Sequence, residues 1–234
     1  MANAPDIDQT INPPSTDVRA QSTAVEYGER HREFMRRFTI DEVLNEPKEY
    51  FKYVTAIERI ARSSGEMRDL FQHLKKEVDL NTCSLLRGAN LENTSIELHH
   101  FPLSLYDITD IVLRKRLDED EPVSPIAVAA EVVKLHYKGL VGLIPVTTTI
   151  HELIHSGKVY ASLSNVYGDY SKFLVDYRAG VTSELLAQLE GLSKVERSGR
   201  ADMLNQMTLT PLAIEWSNEA TQLISDLRES DDDN

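Results

Sequence analysis

Apolar residues recur at intervals of three and four along most of this chain, the period of a helix with one face turned to a core. Phe34 and Phe38, then Phe51, Val54, Ile57, Ile60 and Ala61, then Met67, Leu70, Phe71 and Leu74 carry that period through residues 25–80. Pro47 is placed to open one of these helices. The texture changes at Asn81. Residues 83–86 and 95–99 are short apolar runs separated by Gly88, Asn90 and Asn93, which predicts two strands around a turn. The helical period returns over 105–117, and an acidic loop follows at 118–122. Ser124 ahead of Pro125 predicts an N-cap and the first position of a helix that runs to about Tyr137. Residues 140–146 form a second extended segment. Thr147, Thr148 and Thr149 offer caps for a short helix over 151–155. Leu185, Leu186, Leu189 and Leu192 mark one further helix, and residues 212–227 another.

These patterns predict an α+β fold that is predominantly helical. Residues 1–24 are polar, carry Pro13-Pro14, and read as disordered. Residues 25–80 form a helical support region, and 81–160 hold the extended segments, with a helical insertion at 104–137. Residues 161–228 make a C-terminal helical region, and 229–234 an acidic tail. There is no internal repeat.

A chain of 234 residues is long enough for one mid-sized domain with a real core. No run approaches the roughly 20 apolar residues that cross a bilayer, and the first residues lack the basic and apolar parts of a signal peptide. The expectation is a cytoplasmic protein with no membrane partner. Cys83 is the single cysteine, so there is neither a disulfide framework nor a cysteine-based zinc ribbon. Any metal must be held by histidine and carboxylate. The net charge of −13 weighs against nucleic acid, whose binding rests on lysine and arginine neutralising phosphates. The candidates for local phosphate contacts are Lys134, Lys138, Lys158, Arg114 and Arg116; an ordinary solvated helix face accounts for them equally well.

Four of the seven histidines lie in two short segments, Glu97-Leu-His99-His100-Phe-Pro102 and His151-Glu-Leu-Ile-His155-Ser-Gly-Lys158. On a helix, His151 and His155 project from one face, one turn apart, the spacing with which two imidazoles reach one metal ion. Adjacent residues of a strand point to opposite faces, so His99 and His100 divide their labour. Glu97 shares a face with His99 and is placed to orient a ligand histidine; an ordinary surface carboxylate accounts for it equally well. His136 reads as a surface or packing residue, and His31 and His73 have no constellation around them. Core packing accounts for Tyr160, Tyr167, Tyr170 and Tyr177 better than base stacking does.

The two segments resemble the HNH, or ββα-metal, nuclease motif, in the form found in nuclease colicins. There Glu-Leu-His-His precedes a proline, and a later Val-Thr-Thr leads to His, three residues, His, one residue and Gly-Lys. Here the matching residues are Glu97, Leu98, His99, His100 and Pro102, then Val146, Thr147, Thr148, His151, His155, Gly157 and Lys158. The resemblance covers about 30 residues. It implies a ββα-metal motif with a helical insertion, flanked by N- and C-terminal helices. It implies one divalent ion (Mg²⁺, Mn²⁺, Ni²⁺ or Zn²⁺) on His99, His151 and His155, with His100 as general base. The implied activity is that of a DNA endonuclease acting on double-stranded DNA by a one-metal mechanism. Two departures stand out. Gly142 occupies the place of the family's middle Asn, and 51 positions separate His100 from His151. Gly142 and the net charge of −13 keep open a second reading, a catalytically inactive protein with a metal staple that acts as a structural or protein-interaction module. A third is an all-helical interaction protein without metal. A protein partner or a homo-oligomer fits each. The small motif in its helical wrapping suggests a phage or mobile element.

Overall fold

The computed structural model describes residues 46–232. The expectations for residues 1–24, for Phe34 and Phe38, and for His31 fall outside the described residues. Residue contacts divide the chain into Met1–Tyr50 and Phe51–Asn234, and everything described below about packing and sites belongs to the second.

Helix α1 (Pro47–Ser63) buries Tyr53, Val54, Ile57 and Ala61. Phe51 and Ile60, part of the same periodic pattern, are exposed. Ser64 separates α1 from α2 (Gly65–Glu77), its hydroxyl accepting from the Met67 N–H. This N-cap satisfies a donor that the first turn leaves without an intrahelical partner. Met67, Leu70 and Leu74 are the buried face of α2.

Residues 83–86 do not form a strand. The Cys83 N–H donates to Ala89 and the Ser84 N–H to Pro145, while the Leu86 N–H turns back onto Cys83 Sγ. Asn93 closes the far side, its Oδ1 accepting from the Asn90 N–H and its Nδ2 donating to the Gly88 carbonyl. The backbone donors are thereby consumed in a compact loop, and only an isolated Thr82–Asn90 bridge remains.

The sheet consists of β1 (Ile96–His100) and β2 (Leu143–Thr147), antiparallel, with His99 opposite Ile144 and His100 opposite Leu143. Between them lie α3 (Leu105–Asp118) and α4 (Pro125–Tyr137). A capping box opens α3, Ser104 bonding Asp107 N–H and Asp107 returning to Ser104 N–H. Ser124 caps α4, with Pro125 in its first turn. Ile108, Ile111, Val112 and Leu113 of α3 and Val128, Val132 and Leu135 of α4 are buried. Each such side chain contributes about 1.5–3 kcal/mol, which makes this helix pair a principal core. A helix flanked on two sides needs apolar residues around much of its girth, and α4 packs against both α3 and α2.

Strand β2 is buried along its whole length and passes directly into α5 (Thr148–His155), capped by Thr147. Helix α6 (Tyr170–Asp176) lies between 3-10 turns at Leu163–Asn165 and Arg178–Gly180. Helices α7 (Ser183–Arg197) and α8 (Arg200–Asp232) follow. Among the described residues the fold is mostly helical, with eight α-helices and one two-stranded antiparallel sheet.

Candidate metal centre

Strand geometry sorts the histidines of β1. Glu97 and His99 leave one face, Leu98 and His100 the other. On the first face, the His99 ring meets His151 and His155 of α5 edge-on, with centroids 4.7 and 5.2 Å away. One ring nitrogen of each of the three lies within 4.8 Å of the other two. Helix α5 achieves this because Thr147 ends β2 and caps the helix in the same residue. The register of the sheet therefore fixes where the first turn of α5 stands over β1.

Glu97 holds the arrangement. Its Oε2 lies 2.6 Å from His151 Nδ1, and its Oε1 accepts from Thr148 Oγ1 at 2.9 Å. A carboxylate only accepts, so Nδ1 of His151 carries the hydrogen and Nε2 is left with a bare lone pair. That Nε2 is 2.9 Å from His155 Nε2. Two nitrogens bound cis to one ion at about 2.0–2.1 Å sit roughly 3.0–3.4 Å apart, so little movement separates this pair from a ligating one. Burial pushes the His99 pKa down to about 4, with the charges of His151 and His155 acting the same way and Glu97 opposing. His99 is therefore a neutral imidazole near pH 7, the form a metal needs.

His100 is turned away from this cluster. Its Nε2 lies 2.9 Å from Nε2 of His136, and Phe71 flanks both rings. His136 Nδ1, 2.7 Å from the Val132 carbonyl, must donate there. Its Nε2 then accepts, and His100 donates through Nε2. Burial pushes both histidines well below the usual imidazole range, in His136 to about 4. His136 is thus a core residue joined to His100. That partnership crosses from α4 to β1, and no local spacing in the sequence signals it.

Gly142 also has a structural reason. A Cβ there would stand 2.1 Å from the Phe101 carbonyl oxygen and 2.9 Å from Val166 Cγ1. The position that carries Asn in the HNH motif is closed to any side chain in this chain.

A cavity of about 250 Å³ opens beside the cluster, lined by His99, His100, His151 and His155 and by Arg62 and Arg68. The two arginines come from the α1–α2 junction and were not distinguishable in the sequence from other surface cations. None of the five basic residues singled out earlier lines it. Arg114 pairs with Asp110 at 2.8 Å, and Arg116 binds Glu131 and the Pro122 carbonyl. Lys134 and Lys138 border a separate cavity with Arg116, Glu131 and Tyr177. Lys158 is exposed after α5. A larger open groove of about 790 Å³ runs beside α8 and Leu85, away from the histidines; the smaller cavity is the chemically furnished one.

Fold and site together define a mostly helical protein with three converging imidazoles on a two-strand support. Across its length the chain matches the family model of bacteriophage G278-like virion proteins over residues 3–218, and it belongs to that family. No curated protein and no solved structure matches it. This finding overturns the identification as an HNH endonuclease, which rested on two short segments. With it fall the phosphodiesterase activity and the general-base role that His100 had in it. The phage origin suggested by the sequence stands. A virion protein is made in the host cell, and among the described residues no helix is long and apolar enough to cross a membrane.

Proposed function

We propose that this chain is a non-catalytic structural component of the phage particle. In this reading its β1–β2–α5 unit is a ββα-metal motif, stapled by one divalent ion on His99, His151 and His155, and the protein works through contacts with other proteins. The observation that carries the proposal is the convergence of three imidazole nitrogens within 4.8 Å, with Glu97 fixing the tautomer of His151. Carboxylate–histidine pairs of this kind orient ligands and raise their basicity. Imidazole donors suit Zn²⁺ or Ni²⁺ better than Mg²⁺. When bound, the ion supplies a cross-link between β1 and α5.

Metal content and thermal unfolding with and without chelator test this. The expected result is about one equivalent of metal and a melting temperature that falls on chelation. Free metal at a hundredfold excess over Kd adds about 2.7 kcal/mol. In His99→Ala and His151→Ala the chelator-sensitive increment disappears, while Glu97→Gln keeps it with roughly 10–100-fold weaker affinity. A metal-free protein that chelator leaves unchanged, and that binds no added Zn²⁺ or Ni²⁺, would refute the staple.

A further inference from the structure

Among the described residues three ligand atoms converge, and a closed structural zinc site has four. Glu97 is already engaged, one oxygen on His151 and the other on Thr148. Among the described residues no further His, Cys, Asp or Glu joins the group. All three imidazoles border the 250 Å³ cavity, which is the space beside them open to a further ligand. Across it stand Arg62 and Arg68, both exposed. Arg62 is paired with Glu58 one turn away on the same helix, with two-thirds of its side chain open to solvent; such a surface pair exchanges partners at small cost. The rest of the wall includes Met67, Phe71, Leu98 and Leu105.

We infer that this cavity receives an Asp or Glu carboxylate from another protein chain, which completes the metal's coordination and pairs with Arg62 and Arg68. The inference rests on the metal reading above. A metal ion and two guanidinium groups call for an anionic oxygen ligand, and guanidinium suits a carboxylate geometrically. The cavity has room for a single side chain with apolar walls around its stem. The net charge of −13 repels an extended polyanion, which favours a lone carboxylate over a nucleic-acid strand. The site thereby becomes a docking point for a neighbouring virion protein.

Co²⁺-loaded full-length protein, followed by its visible absorption, tests the inference. The probes are a short capped peptide with one Asp, the same peptide with Asn, and inorganic phosphate. The Asp peptide is expected to shift the cobalt bands saturably, with affinity about fivefold weaker in Arg68→Ala and weaker still in the Arg62→Ala/Arg68→Ala pair. The Asn peptide is expected to leave them unchanged. Cobalt bands that ignore the Asp peptide, respond equally to both peptides, or respond to phosphate more tightly than to Asp would overturn the carboxylate assignment while leaving the metal site standing. An absence of cobalt bands would overturn both.

Discussion

Gly142 shows how one residue can decide between two readings of a motif. Its α-carbon lies so close to the Phe101 carbonyl that an added Cβ would come within 2.1 Å of the oxygen. The neighbouring backbone is tied there as well, Phe101 N–H donating to the Gly142 carbonyl at 3.1 Å. The nearest obstacle is backbone, the Phe101 carbonyl, which cannot swing aside as a flexible side chain could. Gly142→Asn, which would complete the HNH pattern, is expected to destabilise the fold by about 2 kcal/mol or more. Denaturant unfolding checks it, and a variant as stable as the parent would show that the two segments are less tightly joined than described. The same scale explains why His100 lost its assigned role. The residue was read from its neighbour His99 and the proline after Phe101, but its Nε2 hydrogen is given to His136, a side chain 36 positions away on helix α4.

At the level of elements, what was legible followed from local chemistry. Ser124-Pro125 announced the start of α4, and the helical recurrence of apolar residues located α3. The threonines after β2 announced the cap of α5. The His151/His155 face could be anticipated from the four-residue spacing, and its meeting with His99 from the motif resemblance. Illegible elements depended on partners distant in sequence. The run at 83–86 has strand composition but spends its donors on Ala89 and Pro145. Arg62 and Arg68 reach the histidine cavity only because Ser64 breaks the chain into two helices. The reciprocal cap at α3 gives a measurable consequence. Ser104 both accepts from Asp107 N–H and donates to its carboxylate, so Ser104→Ala is expected to cost about 1 kcal/mol. A loss near zero in equilibrium unfolding would mean that the buried face of α3 alone sets its start.

For the whole molecule, the scale of the pattern decided its meaning. A constellation of twelve matched residues pointed to a cluster of histidines, while the family match over nearly the entire chain determined what kind of protein carries it. Global stability should also register the buried His136. Its pKa is depressed to about 4 in the fold, chiefly by burial, against about 6.5 in the unfolded chain. Between those values the unfolded chain binds the proton and the folded one does not. The contribution is therefore complete above pH 6.5 and drains away as pH falls toward 4, amounting to roughly 3 kcal/mol at most. With chelator present, so that ligand protonation on a metal is not counted, His136→Gln is expected to flatten the stability curve over that window. Identical slopes in the two proteins would remove His136 as the cause.

The long excursion through α3 and α4 begins at one end of β1 and returns at β2, so the strand pair is the neck of a loop. An ion gripping His99 and His151 ties off that neck. For a loop of about fifty residues, a cross-link removes roughly 4 kcal/mol worth of freedom from the denatured chain. Loading the ion would thus act as a knot drawn after folding, hardening the protein without adding a single contact to its core.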